Sequence, residues 1–392
     1  MGMKINAHLP IPADLKAEYP LSSQILKLKE KRDREIREIF EYGNKRKAEI
    51  GAENVFDFSI GNPSVPAPKS VDNAIIDLVE NFDSVALHGY TSAQGDGKVR
   101  ETIAQYINNR FNTEITANNI YMTCGAAASL TIVMNAIMQK DDECIVFTPY
   151  FPEYGVFLER TGAKLVEVQS EEKTFQIDMK NFEQAITEKT KAVIINSPNN
   201  PSGVVYTVDT IEKMCSLLKK KEEEYGHPIF LITDEPYREL VYDDTEVPYI
   251  INYYDNTFVC YSYSKALSLP GERIGYIVVS PKMVDEQDAY AAVCGAGRAL
   301  GYVCAPSMLQ RVIEKCIDDT ADISIYKKNR DLLYNALTEM GYECVYPDGA
   351  FYLFVKAMCD DSHKFCEKAK EHELLLVPAD SFGTPGYVRV SY

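Results

Sequence analysis

From about Ser70 to Pro281, apolar runs of strand length alternate with stretches whose apolar residues recur three and four positions apart. The runs are Ile120-Tyr121-Met122-Thr123, Cys144-Ile145-Val146-Phe147, Ala192-Val193-Ile194-Ile195, Ile229-Phe230-Leu231-Ile232, Phe258-Val259-Cys260-Tyr261 and Ile274-Gly275-Tyr276-Ile277-Val278-Val279. This alternation predicts an α/β fold, a mostly parallel sheet covered by helices on both faces. In an open sheet of that kind a ligand sits beyond the carboxyl ends of the strands.

The flanks read differently. Gln24 to Ile50 mixes charge signs with apolar residues at helical spacing, as in Lys27-Leu28-Lys29-Glu30 through Ile36-Arg37-Glu38-Ile39-Phe40, and predicts an amphipathic helix with its charges in water. Val55 to Ile60 then runs into Gly61-Asn62-Pro63-Ser64-Val65-Pro66-Ala67-Pro68, where three prolines and a glycine exclude regular structure and mark a linker. Beyond Pro281 come helical patterns over Ser307–Ile317 and Ile323–Met340, followed by short strands at Tyr352–Val355 and Tyr387–Val390. The expected division is an N-terminal arm over residues 1–60 that contributes to a small domain, a large ligand-binding domain over 61–295, and a small α+β domain over 296–392.

Composition narrows the function classes. With 392 residues, 46% hydrophobic and 25% charged, the chain has the make-up of a soluble globular protein. A net charge of −17 repels a phosphodiester backbone, which argues against nucleic acid as a partner. Ten cysteines lie scattered without any C-x-x-C pair, a pattern of reduced thiols rather than a disulfide framework, and the five histidines never fall at ligand spacing, so no metal site is expected. Met1 to Pro20 lacks the apolar core of a signal peptide and no run reaches the length of a membrane span; a cytoplasmic protein free of membrane is expected.

The candidate chemistry gathers after the predicted strands. Ser262-Tyr263-Ser264-Lys265 follows one of them, and a neutral amine can add to a carbonyl, whereas the ammonium expected from an ordinary pKa of ~10.4 cannot. Arg273 returns eight residues later as a second cation. Lysine, hydroxyls and arginine together describe an imine anchor beside a phosphate site, although S-x-S-K alone is short enough to recur by chance. Cys124-Gly125-Ala126-Ala127-Ala128-Ser129 opens a helical period with small residues, leaving N–H groups open to an anion, while a tight strand-to-helix turn needs small residues in any case. Thr148-Pro149-Tyr150-Phe151-Pro152-Glu153-Tyr154 sets aromatic rings at the same edge, as core or as a stacking surface for a flat heteroaromatic ligand. Asn196 to Gly203 is a turn whose amide side chains could meet a phenolic oxygen. Asp234 closes an apolar run within Thr233-Asp234-Glu235-Pro236-Tyr237, and a buried carboxylate is costly without a cationic partner. A protonated pyridine nitrogen would satisfy it and would make that ring an electron sink.

Taken together, G-N-P at Gly61, Y-T-x-x-x-G at Tyr90, G-A-A at Gly125, P-Y-F-x-x-Y at Pro149, N-N-P-S-G at Asn199, D-E-P-Y at Asp234 and S-Y-S-K with a trailing Arg273 resemble a class I/II aminotransferase. This is the pyridoxal-phosphate family of fold type I related to aspartate aminotransferase, and the resemblance spans roughly Phe58 to Arg389. It implies a pyridoxal 5'-phosphate cofactor joined to Lys265, which then moves the substrate's alpha proton, with Asp234 on the pyridine nitrogen and Asn200 and Tyr237 on the ring oxygen. The phosphate would be held by Gly125, Ala126, Ala127, Ser262 and Arg273, and by Tyr90 reaching across from the second subunit of a homodimer. Phe151 would stack on the ring, and Arg389 would clamp the substrate's alpha-carboxylate, with Gly61 and Asn200 beside the substrate. The reaction implied is ping-pong transfer of an amino group between an L-amino acid and a 2-oxo acid.

Several features depart from the family's commonest pattern. Gly125-Ala126-Ala127 lacks a hydroxyl, there is no tryptophan, and the chain stops three residues after Arg389, where relatives usually continue; a weakly held terminal strand or a shortened chain is the expectation. Arg298 lies about where aspartate-specific relatives present an arginine from the neighbouring subunit, which leaves dicarboxylic, alanine and aromatic substrates open. A carbon–sulfur β-lyase would share Lys265 and Asp234. A non-catalytic regulator would add a DNA-binding module, of which residues 1–60 show no signature.

Overall fold

The computed structural model describes residues 35–392. A short first strand, β1 (Phe56–Asp57), precedes the main sheet, which is built from β2 (Ile120–Thr123), β3 (Glu143–Thr148), β4 (Lys164–Gln169), β5 (Thr190–Asn196), β6 (Phe230–Asp234), β7 (Thr257–Ser262) and β8 (Gly275–Val279). Their order is β2-β8-β7-β6-β5-β3-β4. All pairings are parallel except those of β8, which runs antiparallel to both β2 and β7. The six apolar runs are thus six of the seven strands. The seventh, β4, alternates polar and apolar residues and is only partly covered, as suits a strand at the sheet's edge.

Side chains alternate between the two faces of the sheet. Ile194, Ile232, Phe258 and Cys260 enter a core with helix Ala126–Ile137 on one face, whereas Val193, Ile195 and Leu231 point to the other and pack on helix Val208–Tyr225. Val259, Tyr261 and Val278 share a third cluster with helices Lys69–Asn81, Gly97–Phe111 and Ser307–Lys315.

The remaining strands are β9 (Cys344–Val345), β10 (Tyr352–Lys356), β11 (Leu374–Leu375), β12 (Val377–Pro378) and β13 (Tyr387–Ser391). They form an antiparallel sheet in the order β12-β13-β10-β9, while β11 pairs in parallel with β1. Position 296, the expected division, falls inside helix Glu286–Ala299. Helix Ser307–Lys315, expected with the small domain, buries Leu309, Val312 and Ile313 against the main sheet.

The helix expected over Gln24–Ile50 is present from Glu35 to Ile50; its first part, like Met1 to Pro20, lies outside the described residues. Ion pairs Lys47–Asp57 (2.7 Å) and Arg46–Glu373 tie this helix to β1 and to the start of β11. The terminal strand is not weakly held. β13 is central in its sheet, pairing with β10 over five residues on one side and with β12 on the other, and Tyr392 N donates to the Phe351 carbonyl (3.0 Å). Among the described residues no helix is long and apolar enough to cross a membrane.

Candidate active site

Since β8 reverses direction twice over, β2 runs parallel to β7, and the carboxyl ends of β2, β3, β5, β6 and β7 all reach one edge of the sheet. The residues that follow those ends therefore converge, although up to 140 positions separate Gly125 from Lys265. Gly61, Ala126, Ala127, Phe151, Asn200, Asp234, Tyr237, Ser262, Lys265, Arg273 and Arg389 line one cavity of about 270 Å³.

Lys265 stands on a single helical turn, Tyr263–Ala266, capped by Ser262, whose hydroxyl accepts from Ser264 N (3.1 Å) and lies 2.6 Å from the Ser264 hydroxyl. Its ammonium donates to the Gly61 carbonyl and lies 5.2 Å from the Phe351 ring centroid. Burial pushes the amine down to about 7, and the guanidiniums of Arg389 and Arg273 act in the same direction. A nucleophilic amine near neutral pH follows from that environment.

Asp234 ends β6 in full burial. Its Oδ2 accepts from the Tyr154 hydroxyl (2.7 Å), while Oδ1 is buried without a hydrogen-bond partner among the described residues. Burial pushes the carboxyl up to about 7, with Tyr154 opposing and Glu235 adding to the rise. A buried lone carboxylate oxygen facing a cavity calls for a donor, and a cationic ring N–H is the donor that would restore the charge.

Asn196, at the end of β5, braces this corner. Its amide donates to the Asp234 carbonyl (2.8 Å) and its oxygen accepts from Asn200 N (2.7 Å). Asn200 Oδ1 in turn accepts from Arg389 Nη1 (3.0 Å), whose Nη2 donates to the Ser59 carbonyl (2.6 Å). Arg389 is buried, its Nε has no partner among the described residues, and burial holds its pKa below the ordinary guanidinium value.

Gly125 precedes helix Ala126–Ile137 with φ +92°, and a Cβ there would lie 2.8 Å from Arg273 Nη2. The guanidinium therefore rests directly on the glycine at a helix N-terminus, which together with Ser262 makes a compact anion cradle. The lack of a hydroxyl in Gly125-Ala126-Ala127 leaves that cradle with Ser262 as its hydroxyl.

Three expected residues do not line the cavity of this chain: Gly125, which meets Arg273 beside it, Tyr90 and Arg298. Tyr90 is 98% exposed, and Arg298 is exposed on helix Glu286–Ala299. Tyr154, expected as one of the rings at the sheet edge, is the donor to Asp234 and stands at the start of helix Glu153–Glu159. Tyr352 and Ile36 also line the cavity, and nothing local in the sequence marks either.

The family model for aminotransferase class I and II matches residues 53–392. The aspartate aminotransferase of Thermotoga maritima is 31% identical over 346 residues, 87% of each chain. A probable aspartate aminotransferase of Methanocaldococcus jannaschii is 29% identical over 91% of this chain and 92% of its own. Among solved structures, an amino transferase from Eubacterium rectale superposes with a TM-score of 0.90 at 56% identity, covering 98% of this chain and 94% of that one. The Thermotoga maritima aspartate aminotransferase superposes with a TM-score of 0.79 at 31% identity, covering 92% and 94%.

Proposed function

The chain belongs to the class I and II aminotransferases and has their fold type I architecture, and from that premise we propose that it moves an amino group between an L-amino acid and a 2-oxo acid using pyridoxal 5'-phosphate held on Lys265. The observation that carries this reading is the unpartnered Asp234 Oδ1 in the same cavity as a lysine held near neutrality. When bound, the cofactor supplies an aldehyde for the amine and a ring that accepts the electrons released at the substrate's alpha carbon.

The chain's own residues divide the remaining work. Asp234 Oδ1 would keep the ring nitrogen protonated, and Phe151 would lie against the ring. Tyr237 and Asn200 address the ring oxygen. Ser262, Arg273 and the amides of Gly125, Ala126 and Ala127 bind the phosphate. Lys265 would hold the cofactor through Nζ, and the same amine is the group that would take up the alpha proton. Arg389 binds the alpha-carboxylate from a desolvated position, beside Asn200 and Gly61, where its charge acts at low dielectric.

The near-complete exposure of Tyr90, with Phe82, Val85 and Val303 also exposed, supports a homodimer in which Tyr90 serves the other copy's phosphate site. The relatives named as aspartate aminotransferases support a dicarboxylic amino acid such as aspartate, and Arg298 is the exposed guanidinium that would meet its distal carboxylate from a second copy. Cysteines scattered without a C-x-x-C pair and an acidic composition support a cytoplasmic reading.

The test is to mix the purified yellow protein with a panel of amino acids and follow the visible spectrum. Aspartate or glutamate should bleach the lysine-bound band, a 2-oxo acid should restore it, and initial rates should follow ping-pong kinetics. If no amino acid alters the band while borohydride still fixes cofactor on Lys265, the transfer reading fails.

A further inference from the structure

We propose that Tyr352 is a positioning residue of this site: its hydroxyl donates to Tyr237, so that the single phenolic proton of Tyr237 is aimed into the cavity, while its ring carries the Arg389 guanidinium. The proposal rests on the function given above. It starts from the hydroxyls of Tyr237 and Tyr352, 2.7 Å apart with both residues buried, at 5% and 1% exposure.

Each phenol has one proton. One O–H must lie along the line between the two oxygens, which leaves the other proton to find an acceptor elsewhere. No further hydrogen bond of either hydroxyl occurs among those described, and a buried O–H without an acceptor costs roughly 1–3 kcal/mol. Both residues line the cavity, so the leftover proton is available to what the cavity holds.

Surroundings decide which tyrosine keeps it. The Tyr352 hydroxyl is pressed against Gly61, where an added Cβ would lie 2.0 Å from Oη, and the Gly61 carbonyl is already taken by Lys265. Among the hydrogen bonds described, the partner of the Tyr352 hydroxyl is the Tyr237 oxygen. Tyr237 follows Asp234 by three residues at the sheet edge, and Lys265 Nζ is 6.0 Å from its ring centroid. Its freed proton therefore faces the side where Asp234 and Lys265 would hold the ring.

The Tyr352 ring has a second contact. Tyr352 opens β10, which neighbours β13, and the Arg389 guanidinium carbon lies 4.9 Å from its ring centroid. One side chain thus touches both the group expected on the cofactor oxygen and the group expected on the substrate carboxylate. The same geometry gives Gly61 of the G-N-P motif a steric reason: the tyrosine hydroxyl occupies the space of a side chain.

The test uses the protein with its cofactor bound. Tyr352→Phe keeps the ring over Arg389 and removes the hydroxyl. Titration of the visible band of the Lys265-bound cofactor gives a midpoint that a donor to the ring oxygen lowers, because it favours the charged oxygen. Tyr237→Phe should raise that midpoint, Tyr352→Phe should raise it in the same direction by about half a unit or more, and the double variant should go no further than Tyr237→Phe alone. A Tyr352→Phe midpoint equal to the parent's, or shifts that add, would overturn the proposal. Thermal unfolding supplies the second measurement: Gly61→Ala should lower Tm less in the Tyr352→Phe background than in the parent, and equal lowering counts against the contact. A parent protein with no such band, and nothing fixed on Lys265 by borohydride, overturns the function itself and is recognisable as that separate failure.

Discussion

Asp234 and Glu235 are adjacent at the end of β6, both fully buried, and the chain treats their carboxylates in opposite ways. Glu235 accepts from Thr233 Oγ1 (2.8 Å) and pairs with Arg238, whose remaining donors reach the Val247 and Pro248 carbonyls (3.0 Å each). Arg238 also lies over the rings of Phe111 and Tyr249. That corner is closed: every charge meets its opposite within the chain. Asp234, on the cavity side, receives one hydrogen bond and keeps one oxygen bare. Burial is common to both neighbours, so what separates them is the missing partner.

The contrast breaks most visibly if each carboxylate is removed in turn. Asp234→Ala should lower kcat/KM on the order of 10³-fold or more, roughly 4 kcal/mol of barrier or above, while the cofactor-free protein unfolds at no lower denaturant concentration than the parent. Glu235→Ala should act first on stability. It strands a buried guanidinium and should cost about 3–5 kcal/mol in denaturant unfolding. Equal destabilisation by both changes would erase the distinction.

Acidity sharpens it next. In cofactor-free protein the folded state holds a proton on Asp234 up to about pH 7, whereas the unfolded carboxyl loses it near 3.8, so stability should fall as pH rises across that window. Lys265 works the other way. Its folded amine sheds its proton near 7 and the unfolded one near 10.5, so stability should rise with pH between those values. The expected profile has its minimum near neutrality, a dip on the order of several kcal/mol at most. Asp234→Asn should flatten the acid side and Lys265→Met the alkaline side. The smallest effect belongs to Tyr154→Phe, which removes one donor from Asp234 and should weaken cofactor binding by about 1 kcal/mol, a several-fold rise in Kd measured by equilibrium dialysis.

Much of this is legible in the amino-acid sequence. Central strands are covered on both faces, so their sequences are nearly unbroken apolar runs, and the residues that end them must share an edge once the strands are parallel. Asp234, Lys265, Asn200 and Phe151 could be grouped on that basis. β4 escaped because an edge strand is half wet and alternates, and because Glu167 interrupts its apolar residues. Position 296 lies within a helix, and helices Glu286–Ala299 and Ser307–Lys315 are amphipathic whichever sheet they cover, so periodicity does not say which they join. Tyr352 was out of reach for a different reason. Its meeting with Tyr237 joins positions 115 apart through strand order in the second sheet, which local pattern does not encode.

The antiparallel pair β7 and β8 fixes Ser262 opposite Gly275, and Lys265 and Arg273 both lie on the connection between them. A hairpin of locked register works as a caliper: the span from the amine to the guanidinium is set by the count of residues between two matched strands. Lengthening that connection by one residue would leave every side chain intact and still mis-set the jaw, so on the proposed function the loop's length would itself be part of what recognises the cofactor.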